Sequence, residues 1–136
     1  MKSLLIILIV SQLLGCAKAS ESNIQSCSSE LAFIAEKELS NINSLNWSSL
    51  YLLYSKYKIC DDGSIAEGFS NAVVSHLGNI PVETSIMEET PQFADFVLNH
   101  VGKNMSVTEY QQILTNISSC SRTNAFCKKL MTELTN

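Results

Sequence analysis

Five cysteines in 136 residues constrain this chain more than any other feature it has. So many in a short chain point to an oxidising compartment, and an odd number leaves one thiol that no intramolecular bridge can use. The first of them, Cys16, stands apart because it follows an export-type segment. Lys2 supplies a charged start, and the run Leu-Leu-Ile-Ile-Leu-Ile-Val at positions 4–10 supplies the apolar centre. That run is too short to cross a hydrocarbon layer of about 30 Å as a permanent helix, so residues 1–15 read as a signal peptide and are set aside from the fold.

Leu13-Leu14-Gly15-Cys16 resembles the lipobox of bacterial lipoproteins, in which the peptide is cut before the cysteine and that cysteine carries the lipid. The resemblance implies lipidation at Cys16, with positions 16–26 as lipidated cysteine and tether, and 27–136 as a single domain. Ala17, rather than Asp, follows the cysteine, which resembles lipoproteins sorted onward to the outer membrane and facing the periplasm. Several acyl chains, at about 0.8 kcal/mol per buried CH₂, would hold such a protein firmly. The competing reading is cleavage after the small-x-small run Ala17-Lys18-Ala19, which gives a soluble periplasmic or secreted protein beginning at Ser20. Both readings take Cys16 out of the disulfide pool, by acylation or by excision.

Cys27, Cys60, Cys120 and Cys127 remain. Four cysteines allow three connectivities, and pairing of neighbouring segments favours Cys27–Cys60 with Cys120–Cys127. Metal ligation is disfavoured because neither C-x-x-C nor histidine at ligand spacing accompanies them. No cofactor is expected.

Charged residues make up 16% of the chain and hydrophobic residues 46%, which argues against a disordered polypeptide. Starting at Cys16, the chain carries eight basic and thirteen acidic side chains, net −5. That balance offers no footprint for nucleic acid and disfavours docking on anionic lipid, so membrane attachment would rest on the lipid at Cys16.

No repeat is evident, and apolar residues recur at helical spacing throughout. Ser28 or Ser29 can cap a helix carrying Leu31, Ile34, Ala35 and Leu39. A second helix from Asn46 or Ser48 carries Leu50, Leu53, Tyr54 and Tyr57, with Tyr51 pointing elsewhere. In the third, Ile65, Phe69, Ala72, Val73, His76 and Leu77 form one apolar stripe, Ser64 and Glu67 have capping-box spacing, and Gly68 suggests close approach by another helix. Gly78 and Pro81 are expected to close it. A short helix over 82–89 precedes Thr90-Pro91, read as an N-cap and first helical position, before Phe93, Phe96, Val97, His100 and Val101. Ser106 and Glu109 form a further capping box ahead of Tyr110, Ile113, Leu114 and Ile117. Asn124 can cap a last helix with Phe126, Cys127, Leu130, Met131 and Leu134. The expected fold is therefore all-α, a compact bundle of five to six short helices stabilised by two disulfides.

The candidate functional cluster is Asp61, Asp62 and Glu67 with the only two histidines, His76 and His100. Carboxylates near a histidine could serve acid–base or cation chemistry. The plainer reading makes 60–70 a disulfide-pinned turn with helix caps and places both histidines, hydrogen-bonded, in the core. The alternating ligands of a helix-loop-helix calcium site are absent, as are a Gly-x-Ser-x-Gly elbow, a His-Glu-x-x-His pair and a phosphate-cradling glycine loop. No catalytic residue is assigned. Asn46, Asn104 and Asn116 head Asn-x-Ser sequons, at about the frequency chance allows.

Cys-Asp-Asp-Gly-x-Ile-Ala-Glu-Gly-Phe-Ser at 60–70, then Pro91-x-Phe93-x-x-Phe96-Val97-Leu98-x-His100 and the Cys120/Cys127 pair, resembles a group of uncharacterised exported bacterial proteins over 45–134. That resemblance implies no activity. More loosely, the chain is similar to the periplasmic immunity proteins of type VI secretion systems, small helical domains that block a cell-wall amidase. The expectation is a non-enzymatic envelope lipoprotein that binds a protein partner, in the manner of an immunity or inhibitor protein. Its acidic residues Glu83, Glu88, Glu89 and Asp95 would complement a basic cleft. The alternative is a small periplasmic hydrolase or cation-dependent enzyme using Asp61, Asp62 and Glu67. Leftover apolar surface is also compatible with a homodimer.

Overall fold

The computed structural model describes residues 26–42, 46–102, 105–120 and 122–135. The signal peptide, Cys16 and the tether up to residue 25 lie outside them, as does the sequon at Asn104. Among the described residues the elements are α1 (Ser29–Ser40), α2 (Trp47–Tyr57), a 3-10 turn (Lys58–Cys60), α3 (Gly63–Asn79), α4 (Thr84–Glu89), α5 (Pro91–His100), α6 (Val107–Ile117) and α7 (Ala125–Thr135). The fold is all-α, as expected. Seven helices form, one at each segment marked by the apolar spacing, against the total of five to six expected. No helix among the described residues is long and apolar enough to cross a membrane.

Both disulfides join the expected partners. Cys27 bonds Cys60 with Cα atoms 4.9 Å apart, tying the start of α1 to the end of the 3-10 turn. Cys120 bonds Cys127 with Cα atoms 5.9 Å apart, closing the loop between α6 and α7.

α3 is the central helix, packing against α1, α2, α5 and α6. Its expected stripe is buried in full, from Ile65 through Phe69, Ala72, Val73 and His76 to Leu77. At Gly68 a Cβ would stand 3.3 Å from Leu39 Cδ1, so the glycine does admit a close neighbour, α1. An aromatic layer fills the space between α2, α3 and α5. Tyr54 lies 4.7 Å from Phe96, and Phe69 meets Phe96 edge-on at 5.0 Å, separations at which ring quadrupoles attract. Tyr51 joins this layer, edge-on to Phe93 at 5.2 Å, instead of pointing away from the core.

Several local expectations need correction. α3 begins at Gly63 with φ +52° and is capped by Asp62, whose carboxylate accepts from Gly63 N–H at 2.8 Å. Ser64 is thereby inside the helix, and its hydroxyl donates to Glu36 on α1 rather than serving a capping box with Glu67. Gly78 does not stop α3, which runs through it to Asn79. Thr90 precedes α5 but makes no cap bond, since its hydroxyl donates back to Ile86 C=O at 2.5 Å. The Ser106–Glu109 capping box is present in both directions. Ile34 and Met131, expected in the core, are 39% and 41% exposed. Trp47 takes a core place that the stripe of α2 did not assign, its Nε1–H donating to Pro81 C=O at 2.8 Å.

Candidate functional site

The 3-10 turn and the disulfide at Cys60 deliver Asp61 against the C-terminal end of α5. There His100, the last residue of α5, presents Nε2 to Asp61 Oδ2 at 2.9 Å. Its other nitrogen, Nδ1, lies 2.9 Å from Ser70 Oγ on α3. The imidazole side chain is 9% exposed and the Asp61 side chain 27%, so the line runs from solvent into the core. Phe96, with its ring 4.3 Å from the imidazole, supplies an apolar wall.

The hydrogen-bond network assigns one proton: a carboxylate only accepts, so Nε2 carries its hydrogen toward Asp61. The Ser70 hydroxyl donates to the Ala66 C=O at 2.9 Å, and its oxygen lies 2.9 Å from Nδ1. The residue types and order match an acid–base-activated hydroxyl. Two features separate the arrangement from a working nucleophile site. Ser70 sits inside α3, where neighbouring backbone N–H groups are committed to the helix and offer no oxyanion donors. The five principal surface depressions are lined by other residues. As a structural element the line clamps three segments together.

The structure divides the expected cluster. Only Asp61 and His100 meet. Asp62 is spent on the α3 cap. Glu67 stands apart on the rim of a depression of about 380 Å³ between α1 and α3, with Glu36, Ser64 and Asn71. His76 belongs to a different locus: Nδ1 lies 2.7 Å from Ala72 C=O and Nε2 3.2 Å from Asn46 C=O, beside the Trp47 ring. Burial pushes its pKa below the ordinary histidine value, with the two carbonyls acting in the opposite direction. No group of three or more potential metal ligands is assembled among the described residues. Asn46 and Asn116 also have structural duties: Asn46 caps α2, and the Asn116 amide donates to Leu77 and Ile80 carbonyls at 2.7 and 2.5 Å. Ser70 was missed by the sequence reading. The available signal was its place one residue beyond Phe69, at the edge of the α3 stripe, where a polar side chain reaches a buried partner.

Three further depressions mark the surface. A depression of about 310 Å³ between α4, α5 and α7 has an apolar floor of Met87, Ala94, Leu98 and Phe126, with Glu88, Asp95 and Lys129 on its rim. Glu88 accepts from the Asn124 amide, and Asp95 lies 3.5 Å from Lys129 with both side chains largely exposed. Glu83 lies by a separate depression next to Trp47. A depression of about 730 Å³ runs between α1 and α2 and is lined by Phe33, Ile34, Leu52 and Leu53, with Lys37 and Lys56 beside them.

No family model matches the chain, and no curated protein or solved structure matches it significantly.

Proposed function

We propose that this chain is a non-enzymatic envelope lipoprotein, anchored through Cys16 to the outer membrane, whose helical domain binds a protein partner as an immunity or inhibitor protein does. The observation that carries the reading is the depression between α4, α5 and α7, where an apolar floor is rimmed by Glu88, Asp95 and Lys129, a net charge of −1. Such a surface suits an anchor that is apolar at its tip and basic at its base, and the acidic rim would speed encounter with a basic cleft. Occlusion of that cleft is the mechanism. The disulfides support the reading by keeping a small domain rigid in an oxidising compartment.

The test places a photo-crosslinking amino acid at Asp95 and, as control, at Val107, which is 79% exposed on α6. One discrete adduct from position 95 and none from 107 is expected. Equal labelling at both positions, or none at either, would refute the proposed surface.

A second reading rests on the line from Asp61 through His100 to Ser70. A small periplasmic hydrolase would use Ser70 as nucleophile, His100 as base and Asp61 as the group that orients it; Asp62 and Glu67 would have no part. A fluorophosphonate reporter that labels the protein, and fails on the Ser70→Ala variant, would select this reading over the first.

A further inference from the structure

One apolar surface has no part in the partner-binding reading. Six large hydrophobic side chains are notably exposed among the described residues, and three of them, Phe33 (68%), Ile34 and Leu52 (62%), line the single trough between α1 and α2. Sequence spacing explains how they gather there. Ala35 and Leu39 turn one face of α1 into the core, and Leu50, Tyr54 and Tyr57 do the same for α2. Phe33 and Leu52 fall off both buried stripes and meet on the outer side of the helix pair. Monomeric proteins seldom leave apolar groups clustered in this way without a use.

We infer that the α1–α2 face rests on the lipid bilayer, with Phe33, Ile34 and Leu52 entering the boundary between headgroups and acyl chains. The inference depends on the lipid anchor at Cys16 proposed above. It follows from where that anchor lies. Ser26 lies ten positions beyond Cys16, a span of at most about 36 Å when fully extended. α1 begins three residues further on, at Ser29, and is pinned through Cys27 to the end of the helix pair's second member. A lipid on Cys16 therefore brings this face within reach of the membrane, and tethering at such range raises the effective concentration of even a weak contact.

Local charge agrees. The trough carries Lys37, Lys56 and Glu38, net +1, in a chain that is net −5 from Cys16 onward. Lys56 Nζ is held 3.0 Å from Glu38 Oε2, leaving Lys37 to extend toward headgroups while its stem lies along the apolar surface. With so few positive charges the contact draws on apolar insertion, not on attraction to anionic lipid. A zwitterionic membrane suffices.

The test uses the full lipidated chain in vesicles of phosphatidylcholine, with brominated acyl chains as a depth-sensitive quencher. Parent protein reports only Trp47, which is 2% exposed. Phe33→Trp and Leu52→Trp variants add a reporter on the trough, and Val107→Trp adds one on α6. The expected result is quenching of the added fluorescence by more than about twofold at positions 33 and 52, and little at 107. Equal quenching at all three, or none, overturns the inference. Mass analysis of the N-terminal peptide separates this failure from failure of the anchor itself: a lipid on Cys16 with an unquenched Trp at 33 sinks only the orientation. A blue-shifted Trp at 33 without vesicles, together with dimers in analytical ultracentrifugation, would assign the trough to a second copy and also overturn it.

Discussion

His100 Nε2 stands 2.9 Å from Asp61 Oδ2, so the last residue of α5 is bonded to the turn that leaves the Cys27–Cys60 disulfide. Through its other nitrogen the same ring reaches Ser70 on α3. One imidazole on α5 thus bonds polar groups from two other chain segments at the border of an aromatic layer.

Removing each member should therefore have unequal effects. His100→Ala takes away a ring packed on Phe96 and Phe69 and strands both partners, which should cost about 2–4 kcal/mol. Asp61→Ala, from a partly exposed position, should cost about 1 kcal/mol. Because Asp61 and Ser70 act through one ring, the Asp61→Ala/Ser70→Ala double variant should depart from additivity by about 0.5 kcal/mol or more. Urea unfolding of the four proteins measures this. Strict additivity would dissolve the clamp.

His76 sets an acid limit. Its folded pKa is lowered by burial, whereas in the unfolded chain it returns to about 6.5. Below that value the unfolded state takes up a proton that the folded state resists. The stability His76 contributes is therefore fully present above pH 6.5 and is lost as pH falls from there through the folded value. The urea midpoint should decline on acidification from pH 7 toward 5, and decline less in His76→Gln. Identical slopes for the two proteins would show that the buried histidine does not govern this range.

The expected elements were legible wherever one local pattern decided the outcome. The α3 stripe was complete, and the Ser106–Glu109 box formed as its spacing requires. Misreadings arose where two local signals competed. Asp62 and Ser64 both suit an N-cap, and Asp62 won because Gly63 could adopt φ +52° and start the helix earlier. Ile34 has core spacing on α1, yet no helix packs over that side, so it remains on the surface. The Asp61–His100–Ser70 line was only half visible: His100 lies 39 and 30 residues from its two partners, and spacing along a chain does not report contacts between helices.

The two disulfides should differ in worth. Cys27–Cys60 spans 33 residues and Cys120–Cys127 spans 7. In the chain-entropy account their removal costs about 3.7 and about 2.3 kcal/mol. The paired variants Cys27→Ser/Cys60→Ser and Cys120→Ser/Cys127→Ser, compared by urea unfolding, should keep that order. A reversal would mean that native packing, not loop closure, dominates.

Two glycines inside α3 should respond oppositely to alanine. At Gly78 an added Cβ would meet Gln112 and Ile113 at 3.7–3.8 Å, ordinary contact distances. Its φ is not positive, so alanine fits the backbone and reduces the freedom of the unfolded chain. Gly78→Ala should stabilise the protein by about 0.4–1 kcal/mol. At Gly68 the same methyl would stand 3.3 Å from Leu39 Cδ1 and 3.5 Å from its Cβ, and Leu39 is itself 5% exposed in the core. Moving Leu39 aside means separating α1 from α3, at an overpacking cost of about 1–3 kcal/mol that outweighs the gain in helix propensity. Gly68→Ala should thus lower the melting temperature while Gly78→Ala raises it. If both raise it, α1 does not press on α3 as closely as the Leu39 contact requires.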